Sequence, residues 1–223
     1  MNKTPILILL LLISSFGCSH SQTNEFPNFI NPKAIKLNDS ALKLYYNSPL
    51  DKISREKTLK NAIRLLDQAI TIDSNYYSLY KSKLAFQDEL NLRDSAFFTA
   101  KLIVKKYPGD ELTKIMLGRY YEFKGDSTAA FTCYKNSLSE INYTLSKIGA
   151  KPDTAGTYYN KYKFEELKKA EVLILLNQPE EAHNILKDNL KTETNEDIKL
   201  HLNRLLSMNR HDCLLYLGPT PGF

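Results

Sequence analysis

The sequence predicts an all-α solenoid of about four helix pairs closed by a capping helix. Three observations predict it. Ala62, Ala96 and Ala130 stand 34 residues apart, and the text around them repeats. Within each copy the apolar residues fall at helical spacing: Ala62, Leu66, Ala69 and Ile70 lie at i, i+4, i+7 and i+8, one face of a helix. Among 223 residues there are 8 Gly and 9 Pro, few for a protein that must turn every ~10 residues as an all-β chain does.

The copies extend further than the alanines. Four residues after each Ala come Leu66, Ala100 and Tyr134; seven after come Ala69, Ile103 and Ser137. A fourth copy carries Ala182, Leu186 and Asn189 at the same offsets, 52 residues past Ala130, which is one period plus an 18-residue insertion. Gly118 lies twelve residues before Ala130, with Leu117, Tyr121 and the turn Gly125-Asp126 around it. These residues and this period resemble the tetratricopeptide (TPR) repeat, a pair of antiparallel helices per 34 residues. The resemblance covers residues 40–196. In the second copy Lys83 and Gln87 stand where the family prefers apolar residues, and in the fourth Asn177 stands at the turn glycine.

The N-terminus is a different kind of text. Lys3 precedes an unbroken apolar run, Ile6 to Ile13. A membrane-spanning helix needs ~20 apolar residues, so a run of this length reads as the hydrophobic core of a secretory leader. Ser15-Phe16-Gly17-Cys18 then resembles the cleavage box of bacterial lipoproteins. That resemblance implies a signal peptide over 1–17 and lipid on Cys18. Each buried CH₂ of an acyl chain contributes about 0.8 kcal/mol, so two or three chains hold a soluble domain at a membrane. Residues 18–37 are mostly polar with two prolines and read as a lipidated flexible tether. Ser19 after the cysteine implies, by the same resemblance, the outer rather than the inner membrane.

The repeat domain is expected over 38–208, element by element. A first helix lies near Asp39–Asn47, and SPLDKISR is a lengthened loop. Asp73-Ser74 and Gly109-Asp110 can cap the helices that follow them, and Pro108 stops the helix before it. Leu138, Ile141, Leu145 and Ile148 carry the second helix of the third copy past its usual end, to Gly149 and Pro152. Residues 149–160 are a loop, 165–176 and 180–190 the fourth pair, and 195–208 the helix that covers the last apolar face. Residues 209–223 are a C-terminal tail.

Composition excludes several functions. Apolar residues make up 43% and charged residues 25%, as in a globular protein. The net charge of +5 is scattered: Lys105-Lys106 and Lys168-Lys169 are short pairs, and no nucleic acid is expected as a partner. His20, His183, His201 and His211 show no metal-ligand spacing, so no metal and no cofactor is expected. No phosphate loop or nucleophile elbow appears, and the chain reads as a non-enzyme. Tyr is abundant, at 14, and serves packing. Cys133 reads as a small apolar residue, and a Cys133–Cys213 disulfide is permitted in an oxidising compartment.

The resemblance implies a membrane-anchored scaffold that binds a peptide or protein partner in its concave groove. The alternatives are a structural subunit of an outer-membrane assembly or secretion complex, and a helical envelope enzyme. The groove is lined by first helices of each pair. In the register of the period, its positions are Lys81, Ser82, Ala85, Asp88 and Glu89; then Ile115, Met116, Arg119, Glu122 and Phe123; then Phe164, Leu167, Lys168 and Glu171. Lys81 and Arg119 are the expected cations, with Met116 and Phe123 as apolar contacts.

Overall fold

The computed structural model describes residues 29–49, 51–149 and 157–215, with the backbone alone over 157–160. The signal peptide, Cys18 and most of the tether lie outside these residues. Among the described residues every element is a helix: α1 (Pro32–Tyr46), α2 (Lys52–Ile72), α3 (Tyr77–Glu89), α4 (Arg93–Lys106), α5 (Glu111–Phe123), α6 (Ser127–Ile148), α7 (Thr157–Leu175), α8 (Pro179–Thr192), α9 (Glu196–Ser207) and α10 (Arg210–Leu215). Each helix packs on the next, in four antiparallel pairs from α1 to α8, followed by α9 and α10. The architecture is an all-α solenoid.

The period is visible in the helix bounds. Both ends of α5 lie 34 residues past those of α3, and α7 ends 52 residues past α5. The turn within a pair falls five residues before each repeat alanine, at Asn91, Gly125 and Asn177, all with φ between 54° and 79°. Only Gly and Asn take that left-handed conformation at small cost, so Asn177 does the work of the glycine. Lys83 and Gln87 do not shift the second copy. Leu84 and Phe86 fill its core, Gln87 is buried, and Lys83 reaches out to the carboxylate of Asp67.

Small residues set how closely helices approach. Ala62, Ala96, Ala130 and Ala182 are all fully buried. Gly118 faces the ring of Tyr134, where an added Cβ would lie 2.8 Å from Cδ1. Three apolar clusters follow one another along the solenoid, around Leu66 and Leu79, around Leu84 and Ile103, and around Ile141, Leu173 and Leu186.

Several expected boundaries move. The first helix begins at Pro32, not near Asp39, because Asn31 caps it by accepting from the Lys33 N–H at 2.9 Å and Ala34 is buried. The tether is therefore shorter than 18–37. The extra residues of the first copy form helix rather than loop: Asp51 caps α2 through the Ser54 N–H, and α2 starts seven residues further ahead of its alanine than α4 or α6 does. Seven residues are about two turns, so the added length keeps the same face. Asp73 ends α2 and accepts from the N–H groups of Asn31 and Asn75, whereas Asp110 does cap α5. The long α6 ends at Gly149, as expected. Helix α7 begins at Thr157, inside the expected loop. The segment after 208 is not all tail: Arg210–Leu215 is helical and Cys213 is buried.

Candidate functional site

The first helices α3, α5 and α7 carry the inward positions, and their polar side chains meet between neighbours. Asp110 sits at the start of α5, where its carboxylate accepts from the Thr113 N–H at 3.0 Å as a cap. The other oxygen accepts from the Tyr77 hydroxyl at 2.8 Å and from Lys81 Nζ at 3.2 Å, both on α3. Lys81 Nζ also donates to the Thr113 hydroxyl at 2.9 Å. Burial pushes the Asp110 carboxyl up, but Lys81 and the Thr113 bonds outweigh it and hold it below the ordinary range. Tyr77, buried beside that carboxylate, is held well above the ordinary tyrosine value. At the other end of the same helices, Tyr120 donates to Asp88; burial raises the Asp88 carboxyl despite that bond.

Between α5 and α7 the pairing is deeper. Arg119 donates to Glu171, and both are buried. Lys168 lies 2.7 Å from Glu165 and 3.4 Å from Glu111, and its ammonium sits over the Phe164 ring. Burial raises the Glu165 carboxyl even beside that cation. Taking such charges out of water costs several kcal/mol per ion, and only good pairing offsets it. These pairs tie one repeat to the next.

The four predicted groove residues thus have different fates. Lys81 is half-buried and engaged by Asp110 and Thr113. Met116 is half-buried and leans on the α3–α5 cluster. Phe123 is half-buried at the end of α5, under the guanidinium of Arg93 from α4, at the rim. Arg119 is only 5% exposed and is not available to a ligand. It is covered because α10 folds back across α5 and α7, and Ile115, Leu167, Lys168 and Glu171 are buried with it. What stays accessible is the α3–α5 stretch: Lys81, Ser82, Ala85 and Glu89 on α3, Leu112 and Met116 on α5.

Sequence reasoning missed Asp110 as the hub of the Lys81 cluster, and it missed α10. The spacing does hold a signal: Asp110 is a cap residue beside the expected cations, and Cys213-Leu214 follow Arg210 at helical spacing. Cys133 and Cys213 are both free thiols, so the permitted disulfide is not formed. Burial pushes the Cys213 thiol up to about 12, so it is held as an inert SH. Among the described residues no group of three or more His, Cys, Asp or Glu could hold a metal ion, and no helix is long and apolar enough to cross a membrane.

No family model matches the chain, and no curated protein matches it. Among solved structures it is similar to a thermophilic TPR protein of Thermus thermophilus, at 20% identity and a TM-score of 0.43. That alignment covers 82% of this chain and 86% of the other.

Proposed function

We propose that this protein is a non-enzymatic scaffold of a bacterial cell envelope, lipid-anchored through Cys18, that holds a peptide or protein segment along the inward faces of α3 and α5. The observation that carries the reading is the contrast between repeats. Inward positions on α3 and α5 remain accessible, while the equivalent positions on α7 are covered. An accessible inner face flanked by charges already paired in cis offers apolar contact at Ala85, Leu112 and Met116, with fixed polar groups beside it. Met is adaptable, which suits varied segments. The anchor rests on the leader and on Gly17-Cys18. The sorting signal at Ser19 favours the outer membrane.

The test compares two faces. Partners cross-linked in intact envelopes are recovered with the wild-type chain, with Ala85→Glu plus Met116→Glu, and with Lys101→Glu plus Lys135→Glu. Lys101 and Lys135 are exposed on the second helices α4 and α6. The inward pair should lose the partner. The outward pair should keep it, because exposed charges contribute about 0–1 kcal/mol each. Loss through the outward pair alone would replace the groove reading with assembly through the convex face, as in a structural subunit with stoichiometric partners. Separately, Cys18→Ala should move the protein from the detergent phase to the aqueous phase; a native mass equal to unmodified 18–223 would remove the anchor from the proposal.

A further inference from the structure

Helix α7 has no face left for water. Ala170 to Leu175 are six consecutive buried residues, more than a full turn. Helices α6 and α8 cover two sides, and α10 lies against α7 as well. Helix α10 holds on through one face. The Arg210 guanidinium donates to the carboxylate of Glu122 on α5 and, through Nε, to the carbonyl of Leu175 at 2.8 Å. It also lies over the Phe131 ring, 5.3 Å from the centroid. Three residues on, Cys213 is fully buried, its sulfur 4.0 Å from Arg119 and from the Glu171 carbonyl. The remaining side chains of α10 make little of this seat: His211, Asp212 and Leu215 are exposed.

These contacts fall on the inward positions of the third and fourth repeats: Arg119, Glu122, Glu171 and Leu175. The seat is also incompletely used. Arg119 Nε and the Tyr134 hydroxyl are buried and have no hydrogen-bond partner in the protein. A buried donor left unmade carries a desolvation cost that a better ligand would relieve. Six residues do not form a stable helix alone, so the seat imposes the conformation of α10. A short element held by one charge pair and one small side chain belongs to the low end of local stability.

The geometry points to a second binding site, between α5 and α7, for a short helix with a basic residue followed three positions later by a small side chain; α10 is its resident, dissociable occupant. A segment of another protein with this pattern, and with an acceptor for Arg119 Nε, competes for the same seat. This site is separate from the α3–α5 groove, so either can fail without the other.

The test uses the full chain with Cys18→Ser and Cys133→Ser, so that Cys213 is the sole thiol. Its reaction with a chromogenic aromatic disulfide is followed across a urea series. If α10 opens by itself, labelling in water outpaces global unfolding and depends weakly on urea, because little surface is exposed. Arg210→Glu should raise the rate about tenfold or more with an unchanged helical signal, since it sets two carboxylates against each other. A peptide of residues 207–215 carrying Cys213→Ser, in excess, should raise it further by holding the vacated seat. Labelling that follows global unfolding in its urea dependence overturns the proposal, and so does a peptide without effect.

Discussion

Gly118 has no side chain, and the ring of Tyr134 uses the room. Gly118→Ala places a methyl against a buried ring that cannot move aside, and overpacking of this kind costs typically about 1–3 kcal/mol. Thermal melts should show the loss, and Tyr134→Leu in the same chain should return part of it. An unchanged melting temperature for the single variant would mean that the ring is not fixed there. His201 gives a pH signal. Burial holds its imidazole below the ordinary value, with Glu171 on α7 pulling it up and Arg204 on α9 pushing it down. The folded chain therefore binds this proton less readily than the unfolded chain. The stability contributed is full above the ordinary value of about 6.5 and is lost as pH falls through the lower folded value. Urea midpoints should decline as the pH is lowered from about 7.5 to about 5, the window in which imidazole titrates, and His201→Gln should flatten the decline.

Helices owe their ends to single residues, but not equally. Asp126 caps α6 through the Ala129 N–H in an exposed turn. Asp110 caps α5 and also receives Tyr77 and Lys81 from α3. Asp126→Ala should cost about 1 kcal/mol, the ordinary loss of a cap. Asp110→Ala should cost about 2–3 kcal/mol, because a buried hydroxyl and an ammonium lose their acceptor as well. Equal losses in denaturant titrations would show that the α3–α5 cluster adds nothing to the cap. Elements also show where sequence reading stopped. Asp110 and Asp126 are legible as caps from residue type and place. That Asp73 ends α2 and bonds Asn31 was not legible, because the partner is 42 residues away. The seven extra residues of α2 carry no breaker, so only packing decided between helix and loop.

Three apolar clusters in line make the molecule nearly one-dimensional. Leu66 is fully buried in the first cluster, and Leu66→Ala should cost about 2–5 kcal/mol. In a stack where each repeat touches its neighbours, that loss should be local. Hydrogen exchange should rise most in α1–α3 and least in α7–α9. A uniform rise along the chain would show a single cooperative unit instead. The sequence alone determined the helical class, the period, the alanine and glycine contacts and the lipoprotein leader as an expectation, because each depends on residues close in the chain or on a fixed spacing. Only the tertiary structure decided which inward side chains stay free. Arg119 and Lys81 occupy comparable inward positions, yet one is sealed and the other half-open. The reason is long-range: Glu171 and Cys213 reach Arg119 from 52 and 94 residues away, and no local pattern records which distant helix will cover a given face.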